Sequence, residues 1–331
     1  MDPFKRTLRF GAAVIACAAV ARLGASGAFR PISRWFTQPE TQSLLLYLET
    51  GRKVRFSPSL EEITVPVEET TAATVPETEP PALPAFSAGD AALLDIRYNC
   101  SLRPDLEALL EKPLSWDLSG PEPKVLILHT HATESYTKQG EDYRESSAFR
   151  TLDEDYNMIS IGARVAQLLR EAGIEVIHDK TLHDYPSYNG SYTRARKTLR
   201  QQLKEHPGIQ LVLDLHRDAS GDLNDQLKTA VTRDGTDYAG LMLVVGTDAS
   251  GLRHPDWREN LALGLKLQAL LEDTLPGITR PISFRSQRFN PDMTRGSLIV
   301  EVGAAGDSHQ QALNSMEILA QAILSLSKGS K

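Results

Sequence analysis

Short apolar runs that alternate with amphipathic segments are the feature that most constrains the fold of this chain. Five such runs stand out, and they begin at Val125, Ile174, Gln210, Leu241 and Ser297. The segments between them repeat apolar residues at helical spacing, as in residues 158–172, which Gly173 then ends. Parallel strands that are buried on both faces read as continuous apolar runs. The alternation therefore predicts an α/β fold, with a largely parallel twisted sheet and helices on both faces.

Two further segments precede the predicted folded domain, which we place at residues 91–331. Residues 1–29 begin with basic side chains and continue with an apolar run of signal-peptide length, which predicts a signal anchor or transmembrane segment. A cleaved signal, or a lipoprotein site at Cys17, is the alternative. Residues 30–90 contain a short membrane-proximal segment and an acidic stretch rich in Pro and Thr, which predicts an extended linker. We therefore expect a cell-membrane protein with its folded domain on the extracytoplasmic side.

The charge, the cysteine content and several missing motifs exclude some classes of function. The net charge of −7 argues against a nucleic-acid partner, because such proteins are usually basic. Cys17 and Cys100 are too few for a cysteine zinc site, and we expect no disulfide between them. No glycine-rich nucleotide loop follows a predicted strand, and no G-x-S-x-G elbow of a serine hydrolase is present.

Polar side chains follow three of the apolar runs, at the point where each predicted strand ends. His129, His131 and Glu134 follow the first of these runs. His216 lies just beyond the run that begins at Gln210, and Glu301 lies at the end of the run that begins at Ser297. Because ligands of open α/β sheets bind beyond the carboxyl ends of the strands, we expect these side chains to meet at one edge of the sheet.

This set of side chains predicts a hydrolytic zinc site. Catalytic zinc commonly takes two histidines and a glutamate and keeps a fourth position for water. We predict His131, Glu134 and His216 as the Zn²⁺ ligands. Glu301 is predicted to be the general base that takes a proton from the water. Asp153, near the start of the next helix, is the alternative acidic ligand.

Other residues near these strand ends are candidates for supporting roles. We expect at most one of His129 and His131 to face the metal, so His129 is either a supporting residue or an ordinary buried histidine. Three more candidate supporting residues are Arg217, Asp218 and Arg295. The first two could equally form structural ion pairs. Residues 182–192, which include His183, are rich in Tyr and turn residues and predict either a rim that contacts substrate or a plain surface loop.

Four motifs closely resemble the stage II sporulation protein P family. They are residues 129–136, residues 149–153 with the nearby Tyr156 and Asn157, residues 214–218, and residues 296–303. The resemblance extends from about Asp95 to the C-terminus. The apolar N-terminal segment and the acidic linker are also similar to this family.

This resemblance implies a fold like that of zinc N-acetylmuramoyl-L-alanine amidases and a peptidoglycan hydrolase that removes stem peptides from glycan strands. It also implies cutting of peptide cross-links, and action in septal wall degradation during engulfment of the forespore. The implied partners are peptidoglycan, the membrane, and stage II sporulation proteins D and M.

The resemblance also bears on individual residues. By motif, His131 and His216 would be ligands and Glu301 the catalytic carboxylate. The acidic ligand stays open between Asp153, which matches amidases of this fold, and Glu134, which we prefer for its His-x-x-Glu spacing. A metallo-endopeptidase that cuts cross-links, or a septal scaffold without catalysis, remains the alternative function.

Overall fold

The computed structural model describes residue 86 and residues 90–114, 117–137, 149–220 and 226–327. All of them belong to one compact unit that spans residues 77–331. The predicted anchor and nearly all of the predicted linker lie outside the described residues, and the domain start at residue 91 stays a prediction. Among the described helices, none combines the length and apolar character that crossing a bilayer requires.

Nine strands form the sheet structure of the described residues. In chain order they are β1 (Ile96–Asn99), β2 (Val125–Leu128), β3 (Val176–His178), β4 (Leu211–Asp218), β5 (Val231–Arg233), β6 (Thr236–Tyr238), β7 (Leu241–Gly246), β8 (Ile282–Arg285) and β9 (Ser297–Ala304). β5 and β6 make a separate hairpin. The other seven make one sheet with the order β1-β8-β7-β9-β4-β2-β3.

The large sheet is mixed, with two parallel blocks that run in opposite directions. β7 and β9 are antiparallel, whereas every other neighbouring pair in this sheet is parallel. One block is β1-β8-β7 and the other is β9-β4-β2-β3. The predicted α/β fold with a largely parallel sheet is confirmed in this form. β4 lies between β2 and β9, so all three strands that were predicted to end at the site are neighbours.

Five α-helices accompany the strands in the described part of the chain. They are α1 (Leu106–Glu111), α2 (Met158–Glu171), α3 (Ser191–Glu205), α4 (Trp257–Thr274) and α5 (His309–Ser327). Gly173 follows α2 with a φ of 88°, as expected for a glycine that ends a helix. Ser308 Oγ accepts a hydrogen bond from the Gln311 N–H, and the Gln311 side chain accepts one from the Ser308 N–H. This capping box starts α5.

The side chains of β2 reveal that helices cover both faces of the sheet. Val125 and Ile127 are fully buried in the large core, which also contains the apolar faces of α2 and α5. Leu126 and Leu128 point the other way and pack with Ala195 and other apolar residues of α3. A strand buried on both faces has no polar side, which explains the continuous apolar run in the sequence.

Helix α2 approaches the sheet closely at Gly162. A Cβ atom added there would lie 2.6 Å from His129 Cε1 and 2.6 Å from His178 Nε2. These two histidines share a hydrogen bond of 2.9 Å between their Nε2 atoms. Neither ring can therefore move aside without breaking a contact in the interior.

We predict that Gly162→Ala lowers the free energy of unfolding by about 1–3 kcal/mol, the usual cost of overpacking a core. The matched control is Gly264→Ala in α4, where an added Cβ would find Val245 at 3.4 Å and Leu298 at 3.7 Å. That change should be neutral or stabilising by up to about 1 kcal/mol, because alanine favours helix more than glycine does. Urea unfolding of both variants measures the difference, and equal midpoints would contradict the close approach.

Candidate active site

Three of the predicted site residues converge at the carboxyl edge of the β9-β4-β2 block. His131 lies in the turn after β2, and His216 lies near the end of β4. Glu301 on β9 is the register partner of His216, so the two are direct neighbours across the sheet. The rings of His131 and His216 are nearly perpendicular, with centroids 5.2 Å apart. Imidazoles at this separation are near enough to bind one ion.

Glu134 joins this group from the loop that follows His131. Its side chain is buried, and its Oε2 atom lies 3.7 Å from Nδ1 of His216. Two donors that bind one tetrahedral zinc ion at 2.0–2.1 Å are roughly 3.3 Å apart. The observed separation is therefore close to that of two ligands of a common ion.

Asp153, the alternative acidic ligand, lies elsewhere. It is exposed in the turn before α2, where its carboxylate accepts a hydrogen bond from the Asp155 N–H at 3.1 Å. In the described ranges it has no contact with either His131 or His216. Of the two acidic candidates, the structure brings only Glu134 to the histidines.

His129 does not face this group and is an ordinary buried histidine. Its Nδ1 atom lies 3.2 Å from the Leu215 carbonyl oxygen, and its Nε2 atom bonds to His178. Complete burial is the main reason that its pKa falls to about 3. The ring is therefore neutral and satisfied inside the fold.

The prediction that Arg295 supports the site is wrong. It precedes β9, whereas Glu301 lies near the other end of that strand, so the two occupy opposite edges of the sheet. The side chain of Arg295 is exposed, and its Nε atom lies 3.4 Å from Asp256 Oδ1. Proximity in sequence to a site motif did not bring it to the site.

Arg217 and Asp218 have different roles. Arg217 is buried and donates to the carbonyl oxygens of Ser135 and Phe149, at 2.9 and 2.8 Å, which fixes the segment next to Glu134. Its backbone N–H donates to Glu134 Oε2 at 3.2 Å. Asp218 instead forms a structural ion pair with Arg280 at 2.6 Å.

Two residues that the sequence analysis did not assign to the site contact its members. Asp214 Oδ1 lies 3.0 Å from His216 Nε2 as an ion-pair contact. Residues two apart on a strand share a face, so the position of Asp214 relative to His216 could have indicated this contact. Arg150 donates to Glu134 Oε1 at 3.3 Å and to Asp184 Oδ2 at 2.6 Å. Its place in a motif was the one sequence signal for it.

The electrostatics of the group favour a bound cation. Burial is the main reason that the pKa of His131 falls to about 4, which leaves its ring neutral at pH 7. Burial also lowers the pKa of His216, but the carboxylates of Asp214, Glu134 and Glu301 outweigh it and raise that pKa to about 10. Burial raises the pKa of Glu301 to about 7 against the opposing effect of His216. Several carboxylates thus surround two imidazoles in a poorly solvated place.

The chemistry of the donors fits a zinc ion. Two buried atoms of the predicted ligands and general base, His131 Nδ1 and Glu301 Oε2, have no hydrogen-bond partner among the described residues. Such atoms are rare in folded proteins unless an ion, a ligand or water satisfies them. Among residues 90–327 outside the gaps, no three His, Cys, Asp or Glu side chains already form a metal-binding group. The site fits zinc in the chemical type of its donor atoms and in the short distances between them. His131, Glu134 and His216 are the residues that could hold the ion.

Residues 182–192 form an aromatic rim beside the two histidines. Tyr188 stacks on His131 with ring centroids 4.5 Å apart and is 54% exposed. The Tyr192 ring contacts His131 edge-to-face, with ring centroids 5.5 Å apart, and it lies nearly parallel to the His216 ring, with centroids 6.3 Å apart. Burial, together with nearby carboxylates, raises the pKa of Tyr192 above its usual range, so the phenol stays protonated. His183 anchors the segment through its ring nitrogens, which lie 2.8 Å from the His129 carbonyl oxygen and 2.9 Å from Thr198 Oγ1.

Comparison with known proteins identifies relatives of this chain. The family model of stage II sporulation protein P matches residues 59–324. Stage II sporulation protein P of Bacillus subtilis (strain 168) is 25% identical over 206 residues, which cover 58% of this chain and 48% of that protein. The chain thus spans about half the length of this relative.

Two solved structures illustrate the similarity in three dimensions. N-acetylmuramoyl-L-alanine amidase AmiC2 of Nostoc punctiforme is 15% identical, with 62% of this chain and 97% of that chain covered and a TM-score of 0.37. The CwlD amidase from Clostridioides difficile, solved in complex with the GerS lipoprotein, is 12% identical, with 62% and 95% covered and a TM-score of 0.36. Scores of this size say nothing about the activity of this chain.

We predict that His131→Ala and His216→Ala each abolish tight zinc binding, because each removes one of three predicted ligands. The loss should exceed the roughly 10–100-fold that follows removal of a residue that only positions a ligand. Glu134→Gln should weaken binding in the same direction, whereas the matched control Asp153→Asn should not. Competition with a chromophoric chelator measures the four affinities. Loss of zinc by Asp153→Asn with retention by Glu134→Gln would reverse the assignment of the acidic ligand.

Proposed function

Because the chain belongs to the stage II sporulation protein P family, we propose that it is a zinc-dependent N-acetylmuramoyl-L-alanine amidase that degrades septal peptidoglycan during sporulation. The observation that supports this most strongly is the meeting of His131, His216 and Glu134 beside the buried carboxylate of Glu301. Each of these side chains has a distinct task in hydrolysis of an amide.

The ion would be held by His131, His216 and Glu134. When bound, zinc lowers the pKa of a coordinated water to about 7 and polarises the carbonyl group of the amide. Asp214 orients the His216 ring through the opposite nitrogen, as carboxylates beside ligand histidines commonly do. Arg150 holds the Glu134 side chain through Oε1, which leaves Oε2 directed at His216.

Glu301 transfers the proton from the water to the leaving nitrogen. It takes a proton from the attacking water while the carbon–oxygen bond forms at the lactyl carbonyl of the muramic acid. It then gives that proton to the nitrogen of L-alanine as the carbon–nitrogen bond breaks, so a carboxylic acid and a free stem peptide leave. Burial raises the pKa of the Glu301 carboxyl, and a carboxyl group whose pKa is raised in this way can both accept and return a proton.

The place of action and the partners are proposed from the family alone. Residues 1–29 would anchor the chain in the cell membrane, and residues 30–90 would hold the hydrolase away from the bilayer on its extracytoplasmic side. At the sporulation septum the chain would act during engulfment with stage II sporulation proteins D and M.

Two other functions make different predictions for the products. A metallo-endopeptidase would use the same residues on peptide cross-links, and a scaffold would use none of them. Purified peptidoglycan is digested with the chain and the products are separated by mass. Free stem peptides with unbroken glycan support the amidase, shortened cross-linked peptides support the endopeptidase, and no products together with no bound zinc support the scaffold.

We predict that Glu301→Gln keeps its zinc but lowers kcat by about 10²–10⁴-fold, because the isosteric amide cannot accept the proton. The matched control is Glu317→Gln on α5, where the glutamate is half-exposed and pairs with Arg164 at 2.7 Å. That variant should release stem peptide at the rate of the unmodified chain. Full activity of Glu301→Gln would assign the base to another residue.

A further inference from the structure

Two tyrosines of the aromatic rim contact the predicted ligand histidines, but they differ in burial and in support. Tyr188 lies on the outer side of His131 and is more than half exposed. Tyr192 lies in the first turn of α3, largely shielded from solvent, with its ring against both His131 and His216. Tyr192 is therefore the rim tyrosine that contacts both histidines.

Residues 289–292 support the Tyr192 ring and the helix turn that carries it. Phe289 packs against it, with ring centroids 5.7 Å apart. The side-chain amide of Asn290 donates to the Tyr192 carbonyl oxygen at 3.0 Å. The Arg196 guanidinium donates hydrogen bonds to both carboxylate oxygens of Asp292, at 2.5 and 2.8 Å. These bonds connect α3 to the segment that contains Phe289 and Asn290. A side chain supported in this way can act as a preorganised group.

The other polar groups that adjoin Glu134 and the two histidines are mostly acceptors or are already paired. Glu134, Glu301 and Asp214 are carboxylates, which accept hydrogen bonds when ionised. The Arg150 guanidinium is occupied by Asp184, Glu134 and the Thr133 hydroxyl. The phenol of Tyr192 makes no hydrogen bond to any residue that the structure describes.

We propose that Tyr192 is a catalytic residue whose O–H donates a hydrogen bond to the carbonyl oxygen of the scissile amide as that oxygen gains negative charge. This proposal rests on the proposed amidase function. The phenol keeps its proton throughout, because Glu301 carries the proton from water to the leaving nitrogen. A donor aimed at a developing oxyanion stabilises the transition state more than the ground state.

The test compares Tyr192→Phe with Tyr98→Phe in the purified chain loaded with zinc. Tyr98 lies on β1, in the other parallel block of the sheet, where its ring packs against Phe284. Both changes remove one hydroxyl and keep the ring. Tyr192→Phe should lower kcat for stem-peptide release by about 10²–10³-fold, the usual effect of removing one oxyanion donor, with KM changed by less than about threefold. Tyr98→Phe should stay within about threefold of the unmodified chain in both constants.

A second measurement does not depend on turnover. The probe is a phosphinate analogue of muramoyl-L-alanine, in which a tetrahedral phosphorus with two oxygens replaces the amide carbon, and calorimetry gives its affinity. Tyr192→Phe should weaken binding of the analogue by about the factor that it removes from kcat, because such analogues imitate the transition state. Affinity for the stem-peptide product, zinc content and melting temperature should not change.

Three results would overturn the role of Tyr192. They are unchanged kcat with unchanged affinity for the analogue, equal losses in both tyrosine variants, and loss of zinc or of folding in Tyr192→Phe, which would indicate a structural role. An unmodified chain that binds zinc but releases no stem peptide overturns the amidase proposal itself, and this role with it. A fully active unmodified chain beside a fully active Tyr192→Phe overturns the role of Tyr192 alone.

Discussion

The parallel pairing of β4 with β2 on one side and β9 on the other is the constraint on which the site depends. Parallel strands end at the same edge, so the polar residues that follow or end these three apolar strands must come together. The register is specific, because it sets His216 directly opposite Glu301. A slip by one residue would turn one of these side chains to the other face of the sheet. The apolar core on both faces of β2 therefore fixes the chemistry as well as the fold.

Such a concentration of polar groups in a buried place needs compensation. The Arg217 side chain donates hydrogen bonds to two backbone carbonyl oxygens beside Glu134. Arg150 forms ion pairs with Glu134 and Asp184. These contacts satisfy the surroundings but leave Nδ1 of His131 and Oε2 of Glu301 without hydrogen-bond partners among the described residues. An unsatisfied buried group costs about 1–3 kcal/mol, so a bound cation would remove a penalty as well as supply chemistry. Folding and metal binding would then be linked.

The sequence predicted the strands that read as apolar runs and missed those of mixed polarity. β1 and β8 read Ile-Arg-Tyr-Asn and Ile-Ser-Phe-Arg, and four residues of mixed polarity carry little signal. The reversed direction of β7 has no signature in its own residues, because strand direction follows from the connections around it. Within the site, the strand-end rule selected His131, His216 and Glu301. Arg295 was wrong because it stands where β9 begins, and the rule applies only to the carboxyl end.

The strand-end rule did not select Tyr188 and Tyr192, yet the topology also accounts for their position. β3 is parallel to β2 at the end of the same block, so the segment that follows β3 must leave from the same edge. That segment leads through Tyr188 to Tyr192 at the start of α3. Applied to β3, the strand-end argument gives a fourth contribution to the site beside those of β2, β4 and β9. The first three supply acids and imidazoles, whereas the fourth supplies the phenol of Tyr192. A site that must both activate water and stabilise a developing negative charge needs both kinds of group.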